Sequence, residues 1–129
     1  MTERRLPILC LDFDGVLHSY TSGWQGADIV GDPPVPGAIE FLKAATGEFD
    51  VCIYSSRSHQ TGGIAAMKRA IELWARAEYG MIPFWLDLIT YPAVKPPAKV
   101  TLDDRALNFA GEWPAIGTLL EFEPWNKRS

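Results

Sequence analysis

No stretch of this sequence is apolar for long enough to cross a bilayer as a helix, so no helical membrane span is expected. Cysteine is scarce. The two present, Cys10 and Cys52, each lie inside an apolar run with no second Cys or His close by. That pattern excludes a disulfide framework and a zinc cluster, and reads as two small buried hydrophobes in a reducing, cytoplasmic setting. There is no excess of positive charge: 12 Lys and Arg against 16 Asp and Glu leave a formal net charge of -4, so no overall basic field draws in nucleic acid. Arg4 and Arg5 precede an apolar run, but Asp12 interrupts it and no small-residue cleavage site follows, so a secretory signal is not expected. Internal repeats and low-complexity segments are absent as well. What remains is a 129-residue chain, 47% hydrophobic and 22% charged, which suits a single globular domain spanning 1–129 with one core.

The chain is organised around Ile8-Leu9-Cys10-Leu11-Asp12-Phe13-Asp14-Gly15-Val16-Leu17. A run of branched apolar residues, cut off by glycine, reads as a buried strand from about Pro7 to Asp12. Carboxylates are costly at the end of such a strand unless a cation or several donors meet them. Asp12 and Asp14, one residue apart, point the same way from an extended backbone, and a hard divalent ion such as magnesium stabilises that pair most simply. Alone, the short D-x-D-G motif suits equally well a helix cap at Asp12 and a turn at Asp14-Gly15. The rest of the chain weighs against that plainer reading.

Residues 15–36 are rich in Gly and Pro. They are expected to form a flap at about 16–31, with short strands at Val16 to Tyr20 and Ala27 to Val30 and Trp24 at the tip of a hairpin. Pro36-Gly37 opens an expected helix that Gly47 ends, with Ala38, Phe41, Leu42 and Ala45 on its apolar face. Asp50 to Ser55 reads as a second buried strand. Ile64, Met67, Ile71, Trp74 and Ala75 recur at helical spacing over 63–79, and Gly80 stops that helix. Phe84 to Ile89 reads as a third strand and Ala98 to Leu102 as a fourth, which runs into Asp103-Asp104-Arg105. A short strand-like piece near Leu107 and a helix from about Ala115 to Glu121 follow.

Strands alternating with helices predict an α/β fold with a parallel sheet, whose ligands bind beyond the carboxyl ends of the strands. Three of the four strands end in polar groups: Asp12 and Asp14, Ser55 and Ser56, Asp103 and Asp104. Lys95 adds a positive charge. Such a set suits a phosphate held by a cation, a lysine and hydroxyl donors beside a nucleophilic carboxylate. A second carboxylate can then protonate the leaving oxygen and deprotonate the attacking water.

The order D-F-D-G-V-L, a strand ending in Ser, Lys95-Pro96, then a strand ending in D-D resembles the haloacid dehalogenase (HAD) superfamily of aspartate-nucleophile phosphotransferases, from the first strand to Arg105. The resemblance implies a three-layer α/β/α Rossmann-like fold. It implies catalytic roles for Asp12 (nucleophile), Asp14 (general acid/base) and Lys95, with Lys99 as the weaker choice of lysine. Ser55, Ser56 and Arg57 would bind substrate. Mg2+ would be held by Asp12, by Asp14 through its backbone carbonyl, and by Asp103 or Asp104. The segments Tyr54-Ser55-Ser56-Arg57 and Leu102-Asp103-Asp104-Arg105 are similar to S-x-R and D-D-R in the phosphatase domains of polynucleotide kinase-phosphatases and small phage-like relatives. About 40 residues separate Asp14 from Ser55, and about 40 separate Ser55 from Lys95, which is too few for a cap domain. Capless members act on large or extended substrates, so the expected partner is a phosphorylated substrate of the nucleotide or nucleic-acid-end class, with no membrane. His18 and His59 are expected as solvated loop histidines, and Arg57 has loop bridging as an alternative role. The rival readings are a non-catalytic domain of the same fold, a D-x-D metal-dependent transferase and a phosphoacceptor receiver domain. The last two lack the later strand-end Ser or the D-x-D pair, respectively.

Overall fold

The structure is a computed structural model that describes residues 6–103, 107–108 and 113–121. Four short strands form one parallel sheet in the order β2-β1-β3-β4, with β1 (Ile8–Leu11), β2 (Asp50–Ile53), β3 (Val100–Asp103) and β4 (Leu107–Asn108). The chain is therefore α/β, as the alternating pattern predicts. β1 pairs with β2 from Ile8↔Asp50 to Leu11↔Ile53 and with β3 from Leu9↔Val100 to Leu11↔Leu102. Being internal, β1 is covered on both sides, and Leu9, Cys10 and Leu11 are all buried. This is why its sequence is a continuous apolar run rather than an alternation.

Helix α1 (Ala38–Thr46) buries Ala38, Ile39, Phe41, Leu42 and Ala45, a single face at helical spacing. Helix α2 (Gly63–Tyr79) keeps the expected bounds and places Met67, Ile71 and Ala75 in the core, with Trp74 packed against it. Gly80 terminates α2 in the left-handed conformation, at φ 77°, with its amide bonded to the Arg76 carbonyl. Helix α3 (Ile116–Glu121) contributes the buried Leu119. Ahead of α3, Trp113 stacks on Phe41 with ring centroids 4.5 Å apart and donates its indole N–H to the Pro36 carbonyl at 2.9 Å.

Three expected strands, Val16 to Tyr20, Ala27 to Val30 and Phe84 to Ile89, have a different form. Phe84 to Ile89 is not a strand: Phe84–Leu88 is a 3₁₀ helix that follows Pro83. Trp85, Leu86 and Ile89 are buried while Phe84 and Leu88 are exposed, a spacing that belongs to a helical turn and not to an alternating strand. What is left of the strand is a single parallel bridge from Thr90 to Cys52, made by Ile53 N–H to Thr90 O (2.9 Å) and Thr90 N–H to Val51 O (3.1 Å). The flap also lacks the expected hairpin. The amides of Val16, Leu17 and His18 all donate to the Phe13 carbonyl, which coils the chain where an extended strand was expected. Isolated bridges join Asp14 to His18 and His18 to Pro34.

The start of α2 sits hard against the turn before it. A Cβ on Gly63 would collide with the carbonyl oxygen of Arg57, so only glycine allows this approach. Gly63→Ala is expected to lower stability by about 1–3 kcal/mol through overpacking, measurable by chemical denaturation; an unchanged midpoint would show that the turn yields without cost.

Candidate functional site

A cavity of about 530 Å³ opens at the carboxyl end of the sheet. Asp12 follows the last residue of β1, and Tyr54, Ser55 and Ser56 follow β2. Thr101 of β3, Lys95 from the loop ahead of β3, and Cys10 also line it. The cavity therefore brings together Asp12, Asp14, Ser55, Ser56 and Lys95 of the expected site residues. Asp104 and Arg105 lie outside the described residues, as does the side chain of Asp103, whose backbone ends β3. Among the described residues there is no group of three or more His, Cys, Asp or Glu arranged to hold a metal ion. The described part of the expected magnesium shell is thus Asp12 and the main chain of Asp14.

Each polar group is fixed by local structure. The Asp12 amide donates to Leu102 O at 3.1 Å, which ties the end of β1 to β3, and the Phe13 amide donates to Asp12 Oδ1 at 2.7 Å. Ser55 caps a 3₁₀ turn, Ser56–His59, in a reciprocal box: Arg57 N–H donates to Ser55 Oγ (3.1 Å) and Ser55 N–H donates to Ser58 Oγ (3.0 Å). The first bond occupies a lone pair of Ser55 Oγ and leaves its hydroxyl proton as a donor. Cys10 and Cys52 are buried thiols, not joined by a disulfide, opposite each other on β1 and β2. Hydrogen bonding with Cys10, with burial adding to it, pushes the Cys52 thiol up, which disfavours a reactive thiolate.

Arg57 differs from the expectation of a substrate contact. It is fully buried and does not line the cavity. Its Nε donates to both oxygens of Asp14 (2.9 and 3.2 Å), its Nη2 to Asp14 Oδ1 (3.0 Å), and its Nη1 to the carbonyls of Gly26, Ala27 and Ile29 (3.0, 2.9 and 2.8 Å). The guanidinium also lies 5.7 Å from the Phe13 ring centroid and 5.1 Å from that of Trp24. Of its two expected roles, loop bridging is the one described here.

His18 is likewise not a solvated loop histidine. It is 1% exposed and sits between Asp14 and Asp32. The Asp32 amide donates to Nε2 at 3.1 Å, which makes Nε2 the acceptor and leaves Nδ1–H to donate to Asp14 Oδ1 at 2.9 Å. Stacking on Phe13 and Trp74, at 5.5 and 6.2 Å between centroids, holds the ring plane. The sequence carries one sign of this inward turn: His18 directly follows the apolar pair Val16-Leu17, and both are buried. His59 is exposed as expected, and its Nε2 meets the Tyr54 hydroxyl at 2.8 Å. Three further cavity residues, Tyr20, Trp24 and Tyr54, were not expected to line the site.

Comparison of the chain with family models, curated proteins and solved structures gives no match. No helix among the described residues is long and apolar enough to cross a membrane.

Two outcomes follow from this geometry. Breaking a buried, hydrogen-bonded ion pair costs about 3–5 kcal/mol because the remaining charge has no partner. Arg57→Met is expected to destabilise the fold by that order. Arg57→Lys is expected not to restore it, because one ammonium cannot reach Asp14 and three carbonyls together. Denaturant titration of both variants checks this, and a lysine variant of wild-type stability would contradict it. The second outcome concerns pH. The Ser22 hydroxyl, and then its amide, hold the Asp32 carboxylate below the usual carboxylate range. A lowered folded value contributes stability above the unfolded value of about 3.9, and the contribution is lost as pH falls through the lower folded value. Ser22→Ala is therefore expected to be less stable than wild type above about pH 4, with the difference shrinking on further acidification.

Proposed function

We propose that this chain is a magnesium-dependent phosphomonoester hydrolase acting through an aspartyl-phosphate, on a capless, three-layer HAD-type fold. The observation that carries this reading is the convergence of Asp12, Asp14, Ser55 and Lys95 on one cavity from the ends of β1 and β2 and the loop before β3. These four stand in the chain order in which they resemble the superfamily's motifs.

In the proposed reaction, Lys95 and the Ser55 hydroxyl bind the non-bridging oxygens of the phosphoryl group, and Ser56 lies at the same wall. An Asp12 oxygen attacks phosphorus, and the bond from phosphorus to the leaving oxygen breaks. In its protonated form Asp14 gives that oxygen its proton, and as the carboxylate so formed, the form that pairs with Arg57, it takes one back from the water that hydrolyses the acyl phosphate, which returns Asp12 as a carboxylate and releases phosphate. The hydrogen bond from the Phe13 amide fixes the Asp12 carboxylate for attack. His18 and Arg57 fix that of Asp14. Asp12 and the Asp14 carbonyl are hard oxygen donors of the kind magnesium takes, and Asp103 or Asp104 would complete the shell. When bound, the ion would neutralise charge on the phosphoryl oxygens. A nucleotide or a nucleic-acid end is the proposed substrate class, in a cytoplasmic setting.

One observation favours a second reading, a non-catalytic binding domain: both oxygens of Asp14 are already held by Arg57, and Oδ1 also by His18. Hydrolysis of an aryl phosphate separates the two. The hydrolase should lose activity in chelator, regain it with magnesium, and fall at least about 10³-fold in kcat for Asp12→Asn, the scale seen when a nucleophile is removed. Activity retained by Asp12→Asn, or full activity in chelator, would overturn the mechanism; no hydrolysis by the wild type would favour the binding domain.

A further inference from the structure

Besides the groups proposed to bind phosphate, an aromatic lip of Tyr20 and Trp24 from the flap and Tyr54 from the end of β2 lines the cavity. Each ring has a contact within the protein that sets its position. Tyr20 is the non-glycine residue at positive φ among the described residues (φ 61°), a conformation that a bulky side chain rarely adopts. Such a conformation persists only where the surroundings fix it, and it is found preferentially at functional sites. Here the fixing groups are visible. The Gly23 amide closes a turn onto Tyr20 O at 3.1 Å, and Ser22 is bonded to Asp32 through its amide and hydroxyl (2.9 and 2.6 Å). The Tyr20 ring stands edge-on to the buried His18, 5.9 Å between centroids. Tyr54 is set by its hydroxyl contact with His59.

Trp24 is 47% exposed, yet its indole is not loose: Arg57, itself fixed by Asp14 and three carbonyls, lies 5.1 Å from the ring centroid. A large exposed ring with a rigid cationic backing, in the wall of a cavity, is a stacking platform whose ordering cost is met before any ligand arrives. The cavity thus has two chemistries. Its wall combines carboxylates, hydroxyls and a lysine with three flat rings. Its volume of about 530 Å³ accommodates a small ligand carrying both matching parts.

We infer that Trp24 is a specificity-determining residue: the site selects phosphomonoesters whose leaving group carries a flat heteroaromatic ring, which stacks on the Trp24 indole while the phosphate lies against Ser55 and Lys95. This rests on the hydrolase reading above and adds the part of the substrate that is not phosphate. The ring is that of a nucleobase, either in a free mononucleotide or at the end of a strand, and both present the same face to an indole.

The test compares kcat/KM for adenosine 5′-monophosphate with that for ribose 5-phosphate, which has the same phosphoryl end and no ring. Wild type should prefer the ring-bearing substrate. In Trp24→Ala that preference should fall by about tenfold through KM, the low end of base-on-aromatic stacking. Trp24→Phe should keep most of it, and Trp24→Leu should not, which separates stacking from general apolar contact. A 5′-phosphorylated oligonucleotide and its abasic-end counterpart form the second arm and tell a strand end from a free nucleotide. Because one alanine variant can disturb the flap, adenosine quenching of indole fluorescence is measured in wild type and Trp24→Phe; the quenched component should disappear in the phenylalanine variant. Ribose 5-phosphate hydrolysed as well as the nucleotide by wild type, or a preference unchanged in Trp24→Ala, would overturn the inference and leave the hydrolase reading standing. No hydrolysis of either substrate, with the quenching intact, would overturn the hydrolase reading and leave the stacking site.

Discussion

The buried guanidinium of Arg57 is the contact on which the geometry of the site depends. Its donors reach Asp14 on one side and three successive-turn carbonyls of the flap on the other, so the end of β1, the flap and the 3₁₀ turn after β2 share one hub. Taking a charge out of water costs several kcal/mol, and a paired carboxylate with well-aligned carbonyls offsets much of that. The net gain in stability is therefore modest, while the gain in definition is large. A flap without strands has no ladder to give it shape. Its backbone instead takes the shape that three carbonyls pointing at one cation require.

That hub also links the two kinds of group in the cavity wall. The carboxylate that Arg57 holds is one of its polar groups, and the indole it backs belongs to the aromatic lip. His18 reinforces the same arrangement from within: it bonds Asp14, accepts from Asp32 and stands against the Tyr20 ring. Asp32 in turn clamps Ser22. A chain of named contacts therefore runs from the end of the first strand through the flap to the lip, with no regular secondary structure in it.

The elements that the sequence made legible are those with a period and a stop. α2 shows both, with apolar residues at helical spacing and Gly80 at its end, and its bounds agree to the residue. β1 and β2 were legible because parallel strands buried on both faces are apolar without interruption. Phe84 to Ile89 failed for the same reason: a short run of aromatic and branched residues reads alike as a buried strand or a packed turn, and only the burial of Trp85, Leu86 and Ile89 decides it. In the site, Asp12, Asp14 and Ser55 stood out because polar groups at the ends of apolar strands are conspicuous, and Lys95 stood out by its place ahead of Pro96 in the order of motifs. Arg57 and His18 did not, since a loop sequence records which polar residues are present and not which of them turn inward. For Arg57 the partner that sets the inward turn, Asp14, is distant along the chain; for His18 the nearby Asp14 acts together with the more distant Asp32 amide.

The sheet order has a consequence for the order of assembly. β1 is internal, yet its partners are β2 and, roughly 90 residues onward, β3. At synthesis rates of about 5–20 residues per second, the first strand waits several seconds with an open edge, and its carboxylates lie beside an incomplete wall for as long. Closing so distant a pairing late makes folding slow relative to a helical chain of the same length. The cavity is thus complete only after β3 has joined: a chain that stops before Val100 already carries Asp12, Asp14, Ser55 and Lys95, but lacks Leu102, which receives the Asp12 amide, and the Thr101 part of the wall.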